Sequence, residues 1–366
     1  MGRVTLKTVA EALGVSAATV SNAYNRPDQL SEERRREILA KAEELGYVGP
    51  DASARALRRG KTNAVGVILT GRLSYAFSDP YAIGFLAGLS EVLEKARTSI
   101  TLLPIEDDAL ETDVTAMREA AVDAVTGLCL AEDHAGYLLA RARGLPVATT
   151  HISEDPDTAF VAIDDTQAGA LIGEHLFALG HRRVGVIVDT MKPSGIDPAQ
   201  LAPREVTCID CNARLTGLLS ALPGVEVTVV TAGHNAESSG RRGAEWLLDQ
   251  PEPPTAIVAM SDVLALGVID VVTDRGHSVP GDVSVAGFDD IPAAAGRGLT
   301  TIRQPIAEKG RQIGELLLNP ERPNRQIILD CELIVRTSTG PASENPESLG
   351  KRSAETSEEA HSAAGQ

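Results

Sequence analysis

TLKTVAEALGVSAATVSNAYN, residues 5–25, carries two helical patterns separated by a break. Leu6, Val9, Ala10 and Leu13 fall at i, i+3, i+4 and i+7, which makes one apolar helical face. Gly14-Val15-Ser16 interrupts it, and a second helical run begins at Ala17. In that run Val20, Ala23 and Tyr24 can face inward, while Ala18, Ser21, Asn22 and Asn25 share the opposite face. The outward face is short-chained and has no long apolar group to hide. This pattern predicts a helix-turn-helix whose second helix can enter a major groove, its small residues letting the backbone approach base edges and phosphates. The competing reading of this stretch alone is a helical hairpin packed on something else.

Residues 31–46 read as a third helix. Ser31 can cap it, Glu32 and Glu33 suit its positive N-terminal end, and Gly46 can close it, with Ile38, Leu39, Ala42 and Leu45 on the buried side. TLKTVAEALGVSAATVS followed by a third helix ending in LGY resembles the DNA-binding head of the lactose repressor (LacI/GalR) family of bacterial transcription regulators, the Val15 to Ser21 core being its more specific mark. The resemblance implies that Ala17, Ala18 and Asn22 are the principal base readers, with Thr5, Thr19, Ser21 and Asn25 as further DNA contacts. Many members carry Arg at the position of Asn22. Asn pairs well with adenine and alanine methyls can touch thymine methyls, so the half-site is expected to depend less on guanine there.

With 366 residues, 43% hydrophobic, the chain is long enough to bury a full core and hold two or three domains. No apolar run approaches a membrane span and no charged-then-apolar leader is present, so a cytoplasmic protein with no membrane partner is expected. Four cysteines, at 129, 208, 211 and 331, are too few and too irregular for a disulfide framework. The formal net charge is −17, yet residues 1–62 carry +3 and the remainder −20. The densest basic run, Arg55, Arg58, Arg59 and Lys61, has no acid between Ala52 and Thr62. A polyanion is attracted to that end and repelled by the rest, which predicts one docking orientation and salt-sensitive binding to double-stranded DNA.

Gly49-Pro50 breaks the third helix, and Asp51 can cap a short Ala-rich helix over residues 52–59. Eight residues cannot hold a helix alone in water. The ARAL of Ala54 to Leu57 matches the family's hinge helix, which implies that hinge helices from two subunits order on operator DNA, with Arg55 at the DNA and Leu57 wedged into the minor groove. An apolar wedge of that kind unstacks a base step and kinks the duplex. Gly49-Pro50-Asp51 departs from the family's common Pro-Asn pair.

From Ala64 strand-like runs alternate with amphipathic helices. Strands are expected at residues 65–69, 100–105, 127–131, 147–152, 161–165, 184–188, 225–232, 256–260, 283–288 and 327–336. The alternation predicts an α/β core of two parallel sheets covered by helices, with a ligand site at the carboxyl ends of the strands, in the cleft between two lobes. The resemblance extends here through SDPY at Ser78, ALGHRRVGVI at Ala178, SDVLALGVID at Ser261, PGDVSVAGFDDI at Pro280 and LTTIRQP at Leu299. It implies a core like a periplasmic sugar-binding protein. The expected parts are a helix-turn-helix head over 1–48, a hinge over 49–62, a first lobe of 63–166 with 302–322, a second lobe of 167–301 with 323–340, and a disordered Ser/Ala/Glu-rich tail over 341–366. No leucine heptad follows the core, so a homodimer is expected.

By motif match, Arg214 in CNARLTG and Asp289 in GFDD are the leading effector-binding residues. A guanidinium fork and a carboxylate can hydrogen-bond vicinal hydroxyls, so the expected effector is a small molecule, a sugar first; alternatively the two residues pair only with each other. Asp210 and Ser261 are further candidates, as are Tyr75, Phe77, Asp79 and Tyr81 in the loop after the first strand. Cys208 and Cys211 form one isolated CxxC with no second pair or His doublet nearby, so neither a metal nor a cofactor is expected. No G-x-S-x-G, phosphate loop or dinucleotide fingerprint supports an enzyme. The chain therefore reads as an effector-controlled DNA-binding regulator, most simply a repressor. The alternative is a sugar- or nucleoside-binding module that does not touch DNA.

Overall fold

The computed structural model describes residues 4–49, 60–70, 73–105, 113–190 and 197–343. The chain divides into two compact units, Met1–Asn63 and Ala64–Gln366.

In the first unit, α1 (Leu6–Leu13) is capped by Thr5, whose side chain accepts from the Thr8 N–H, and Thr8 reciprocates to the Thr5 amide. Gly14 ends it at φ 62°, donating its N–H to the carbonyls of Ala10 and Glu11, a conformation that favours glycine. Ser16 caps α2 (Ala17–Asn25) and Ser31 caps α3 (Glu32–Glu44). Val9, Ala10, Val20, Ala23, Ile38 and Ala42 form the core of this unit. Tyr24 meets Tyr47 edge-on at 5.9 Å, and the Arg35 Nε donates to the Ala23 carbonyl at 3.1 Å, fastening α3 to the end of α2.

The second unit begins with β1 (Ala64–Thr70), α4 (Pro80–Lys95), β2 (Ser99–Ile105), α5 (Thr115–Glu119), β3 (Ala124–Gly127), α6 (Ala135–Ala142), β4 (Ala148–Thr149) and β5 (Ala159–Ile163). It continues through α7 (Asp165–Ala178), β6 (Arg183–Val188), β7 (Ala199–Leu201), α8 (Ile209–Ser220), β8 (Glu226–Thr231), α9 (Glu237–Leu248) and β9 (Ala256–Ala259). The last elements are α10 (Asp262–Asp274), β10 (Ser284–Asp289), α11 (Pro292–Gly296), β11 (Thr300–Arg303), α12 (Ile306–Leu318), β12 (Gln326–Leu329) and β13 (Glu332–Ile334).

These strands make two lobes. In the first, β2-β1-β3 and β12-β5-β4 are joined by a parallel bridge between Val125 and Val147. In the second, the order is β13-β11-β10-β9-β6-β8-β7, parallel except for the antiparallel edge strands β7 and β13. Both faces are covered by helices, which is why β3, β5 and β9 are buried at every position. The helices that cover them approach closely through glycine. A Cβ on Gly169 of α7 would lie 1.9 Å from the Arg214 carbonyl oxygen of α8, and one on Gly217 of α8 would lie 1.8 Å from the Thr166 oxygen. We expect Gly169→Ala to force α7 and α8 apart and to cost about 1–3 kcal/mol, read as a lower urea midpoint at unchanged slope.

Several expected boundaries are corrected. The strand expected at 127–131 is Ala124–Gly127, leaving Cys129 in the following loop at φ 52°. The expected run 161–165 ends at Ile163, and Asp165 opens α7 behind the capping residue Asp164. The single strand expected at 327–336 is two strands in different sheets. Gln326 to Leu329 pair with Phe160 to Ile163 in the first lobe, and Glu332 to Ile334 pair with β11 in the second. The third passage between lobes therefore falls at Asp330 and Cys331, not near Pro323. An unbroken apolar pattern does not reveal which neighbour each half pairs with. Residues 341–343 are not tail: the Ala342 N–H donates to the Leu179 carbonyl at 2.9 Å. Residues 344–366 and the expected hinge helix at 52–59, with Arg55 and Leu57, lie outside the described residues. Among the described residues, no helix is long and apolar enough to cross a membrane.

Candidate functional site

The carboxyl ends of the parallel strands converge on one small cavity. Cys129 follows β3, Asp189 follows β6, Met260 and Ser261 follow β9, and Asp289 ends β10. Helix α8 adds Cys208 as its capping residue, then Asp210, Cys211 and Arg214 along its first turns, while Asp79 and Tyr81 enter from the start of α4 and Asn235 from the loop after β8. The space left between these side chains is ≈ 40 Å³. That is about the room of one water molecule.

Arg214 is the electrostatic centre. Its Nε donates to Asp165 at 2.8 Å, an η nitrogen donates to the Met260 carbonyl at 2.7 Å, and the guanidinium lies 4.6 Å above the Phe288 ring. Burial opposes the charge on Arg214, but Asp165, Asp289 and Asp210 outweigh it and hold the guanidinium pKa well above its ordinary value. Arg214 therefore pairs with Asp165 and not with Asp289, which corrects the alternative in which the two motif residues satisfy each other. Asp289 instead accepts from the Gln304 Nε2 at 2.6 Å. Its backbone sits at φ 114°, a strained conformation for a residue with a Cβ, of the sort that collects at ligand sites. Burial pushes the Asp289 carboxyl well above the usual range, and Arg214 only partly restores it.

Two hydrogen-bonded chains tie the lobes across this cavity. Asp79 caps α4 through the Tyr81 N–H at 2.7 Å, and its other oxygen accepts from the Asn235 Nδ2 at 2.9 Å. Asn235 in turn accepts from the Ser261 hydroxyl at 2.5 Å. On the other side the Lys309 ammonium donates to the Tyr81 hydroxyl at 3.2 Å and to the Gln304 Oε1 at 3.1 Å, completing a path to Asp289.

Of the effector candidates read from sequence, Arg214, Asp289, Asp210, Ser261, Asp79 and Tyr81 line the cavity. Phe77 does not; it is 67% exposed on the short turn Leu73–Phe77. Tyr75 belongs to the same turn, and its side chain lies outside the described residues. Sequence reading missed Asp165, Asp189, Asn235 and Cys129. Asp165 and Cys129 were hidden inside segments read as strand, whereas an acid just past an apolar run is a signal that would have found Asp165 and Asp189.

On the head, Ala17 and Ala18 are exposed, and Thr19, Ser21, Asn22 and Asn25 are half-buried. Asn25 donates to the Ser21 carbonyl at 3.0 Å and hydroxyl at 3.2 Å, and Ser16 is bonded to the Thr19 hydroxyl at 2.8 Å, so these polar groups are already engaged within the helix. The Thr5 hydroxyl is likewise held by Thr8 at 3.0 Å. The Asn22 amide has no partner among the described residues and stays available.

Residues 5–49 match the family model for bacterial regulatory proteins of the lacI family, and residues 173–339 match a periplasmic binding protein-like domain. The chain is 36% identical to an HTH-type transcriptional regulator of Mycolicibacterium smegmatis, covering 93% of this chain and 97% of that one. The chain belongs to the lacI family of bacterial regulatory proteins. This lacI-family regulator is also similar to the HTH-type transcriptional repressor CytR of Escherichia coli, at 29% identity over 92% of its length and 96% of the relative's. Among solved structures it resembles a transcriptional regulator CelR–cellobiose complex, with 25% identity and a TM-score of 0.62 over 92% of this chain and 100% of that one. It is a DNA-binding transcriptional regulator whose second unit is an effector core of the periplasmic-binding-protein type.

Proposed function

We propose that this regulator is a repressor that binds a palindromic operator as a homodimer, and that the effector in its cleft is a neutral polyhydroxylated molecule, a sugar. The observation that carries the ligand class is the lining of the cavity. Asp79, Asp189, Asp210 and Asp289 supply acceptors, Asn235 and Ser261 can donate or accept, and Arg214 is the one cation among the lining residues described. Hydroxyl groups, each a donor and an acceptor, match that set, whereas a phosphorylated or carboxylated ligand finds a single cation among four carboxyl groups. The cellobiose complex of a similar regulator is consistent with this class.

The ≈ 40 Å³ between the side chains is too small for any sugar, so entry requires the lobes to part at the Asp79–Asn235 bond, and binding re-forms the closed state around the ligand. That is a two-state element which a ligand and DNA can both bias. A panel of neutral sugars, sugar phosphates and nucleosides, screened by thermal shift and followed by calorimetry, tests the reading. A neutral sugar that raises Tm and alters DNA affinity supports it; stabilisation by sugar phosphates alone refutes it.

For DNA the proposed readers are Ala17, Ala18 and Asn22 on α2, with Thr5, Thr19, Ser21 and Asn25 supporting contacts and positioning, Arg55 at the backbone and Leu57 as the minor-groove wedge. Asn22→Arg should move the preferred base at the contacted position from adenine toward guanine, by about 1–3 kcal/mol of discrimination in a selection from random DNA. An unchanged selected site removes Asn22 from the readers.

A further inference from the structure

The cavity holds two thiols that the effector reading does not use, Cys208 and Cys211, beside two of the carboxyl groups that it does, Asp189 and Asp210. Cys208 and Cys211, at the start of α8, and Asp189, at the end of β6, place one sulfur or oxygen ligand atom each within 4.8 Å of one another. Both cysteines are buried, free thiols, and both reach the Asp189 carboxylate, Cys211 at 2.7 Å from its Oδ1. The isolated CxxC of the sequence thus gains a third ligand from a distant strand. Asp210, between the two cysteines and 6% exposed, lines the same cavity with its Oδ1 unpartnered. A buried carboxylate oxygen with no donor is costly, and an incoming cation relieves it.

We propose that Asp189, Cys208 and Cys211 bind a thiophilic divalent cation of the zinc class in the wall of the cleft, its fourth position open to the cavity beside Asp210. Zinc holds sulfur at about 2.3 Å and carboxylate oxygen at about 2.0–2.2 Å, which puts tetrahedral ligand atoms roughly 3.5 Å apart, so small side-chain rotations close the observed group. Sulfur ligands select this class of ion over magnesium and calcium. Charge balances as well. Two thiol protons leave to solvent as two metal–sulfur bonds form, a doubly charged ion enters, and the net charge of the group is unchanged. The neighbouring guanidinium does not forbid the ion, because Arg214 is already paired with Asp165 at 2.8 Å.

An ion there occupies part of the space offered to a sugar and presents its open position to a hydroxyl, so the inference deepens the effector reading without depending on it. The test uses the full chain, reduced with a non-chelating phosphine, stripped of metal and titrated with Co²⁺ in the absence of any sugar. The expected result is a thiolate-to-cobalt charge-transfer band that saturates at one equivalent per chain and is displaced by Zn²⁺. Cys208→Ser and Cys211→Ser should each weaken binding by more than the roughly 10–100-fold that loss of an outer-shell partner costs, while Cys331→Ser keeps the band. Absence of the band in the wild-type chain overturns the proposal, as does a band that survives both cysteine substitutions. Should those variants fail to fold, Zn²⁺ protection of Cys208 and Cys211 from alkylation in the wild type decides, and equal alkylation with and without Zn²⁺ overturns it. Failure here leaves the sugar panel untouched, and failure of that panel leaves the cobalt spectrum untouched.

Discussion

Arg214→Lys should weaken effector binding about a hundredfold or more and abolish the effector's influence on DNA, while affinity for DNA without effector stays within about twofold. The guanidinium is fixed by Asp165, the Met260 carbonyl and the Phe288 face, which leaves its remaining N–H groups aimed in a plane that an ammonium cannot reproduce. Lysine keeps the charge beside Asp165, so the core has no reason to collapse. Arg214→Ala is the harsher variant. It leaves Asp165, itself buried, without its cation, and is expected to destabilise the core by about 3–5 kcal/mol as well as to abolish the response. Combining Arg214→Met with Asp165→Asn removes both charges and should recover much of that stability without recovering the response. Calorimetry with the effector, and DNA titrations with and without it, separate these outcomes. A full response in the lysine variant would remove Arg214 from the ligand contacts.

Ile38→Asp should eliminate sequence-specific DNA binding and leave effector binding intact. Ile38 is fully buried on α3, in a cluster of six buried residues at the centre of the first unit's described residues. An unpaired carboxylate there costs several kcal/mol, more than so small a unit can spare. The second unit has its own cores, built from other residues, and should melt as before. Two calorimetric transitions in the wild type, with loss of the one assigned to residues 4–49 in the variant, would verify the division. Wild-type DNA affinity in a soluble variant would contradict the role of the head.

How far the sequence was legible depended on whether the informative signal was local. The head is legible in local signals: helical spacing marks its first two helices with the Gly14 break between them, and Ser31 caps the third, while the caps at Thr5 and Ser16 emerge only in the structure. Helical period and N-caps are local properties. The alternation of strand and helix marks parallel sheets covered by helices for the same reason, though the first lobe divides its strands between two three-stranded sheets and the second adds antiparallel edges. What failed was non-local. Whether residues 327–336 form one strand or two is decided by β5 and β11, which lie far away in sequence. The partner of Arg214 is Asp165, 49 positions earlier, and no spacing rule connects them. Cys208 and Cys211 read as an isolated pair because their third companion, Asp189, sits at the end of a different strand. Phe77 shares the loop after β1 with Asp79, yet its side chain points to solvent, and side-chain direction on a short turn is not written in the pattern.

The most direct test is selection of genomic DNA fragments by the full-length protein at moderate salt, repeated with the neutral-sugar panel. The expected result is enrichment of a short palindrome with two half-sites about a central kinkable step, bound tightly without ligand or with one particular sugar, and changed at least about tenfold in affinity by that sugar. No enriched sequence under any condition of the panel would contradict it, and would return the chain to the reading of a small-molecule binding protein whose head does not recognise DNA.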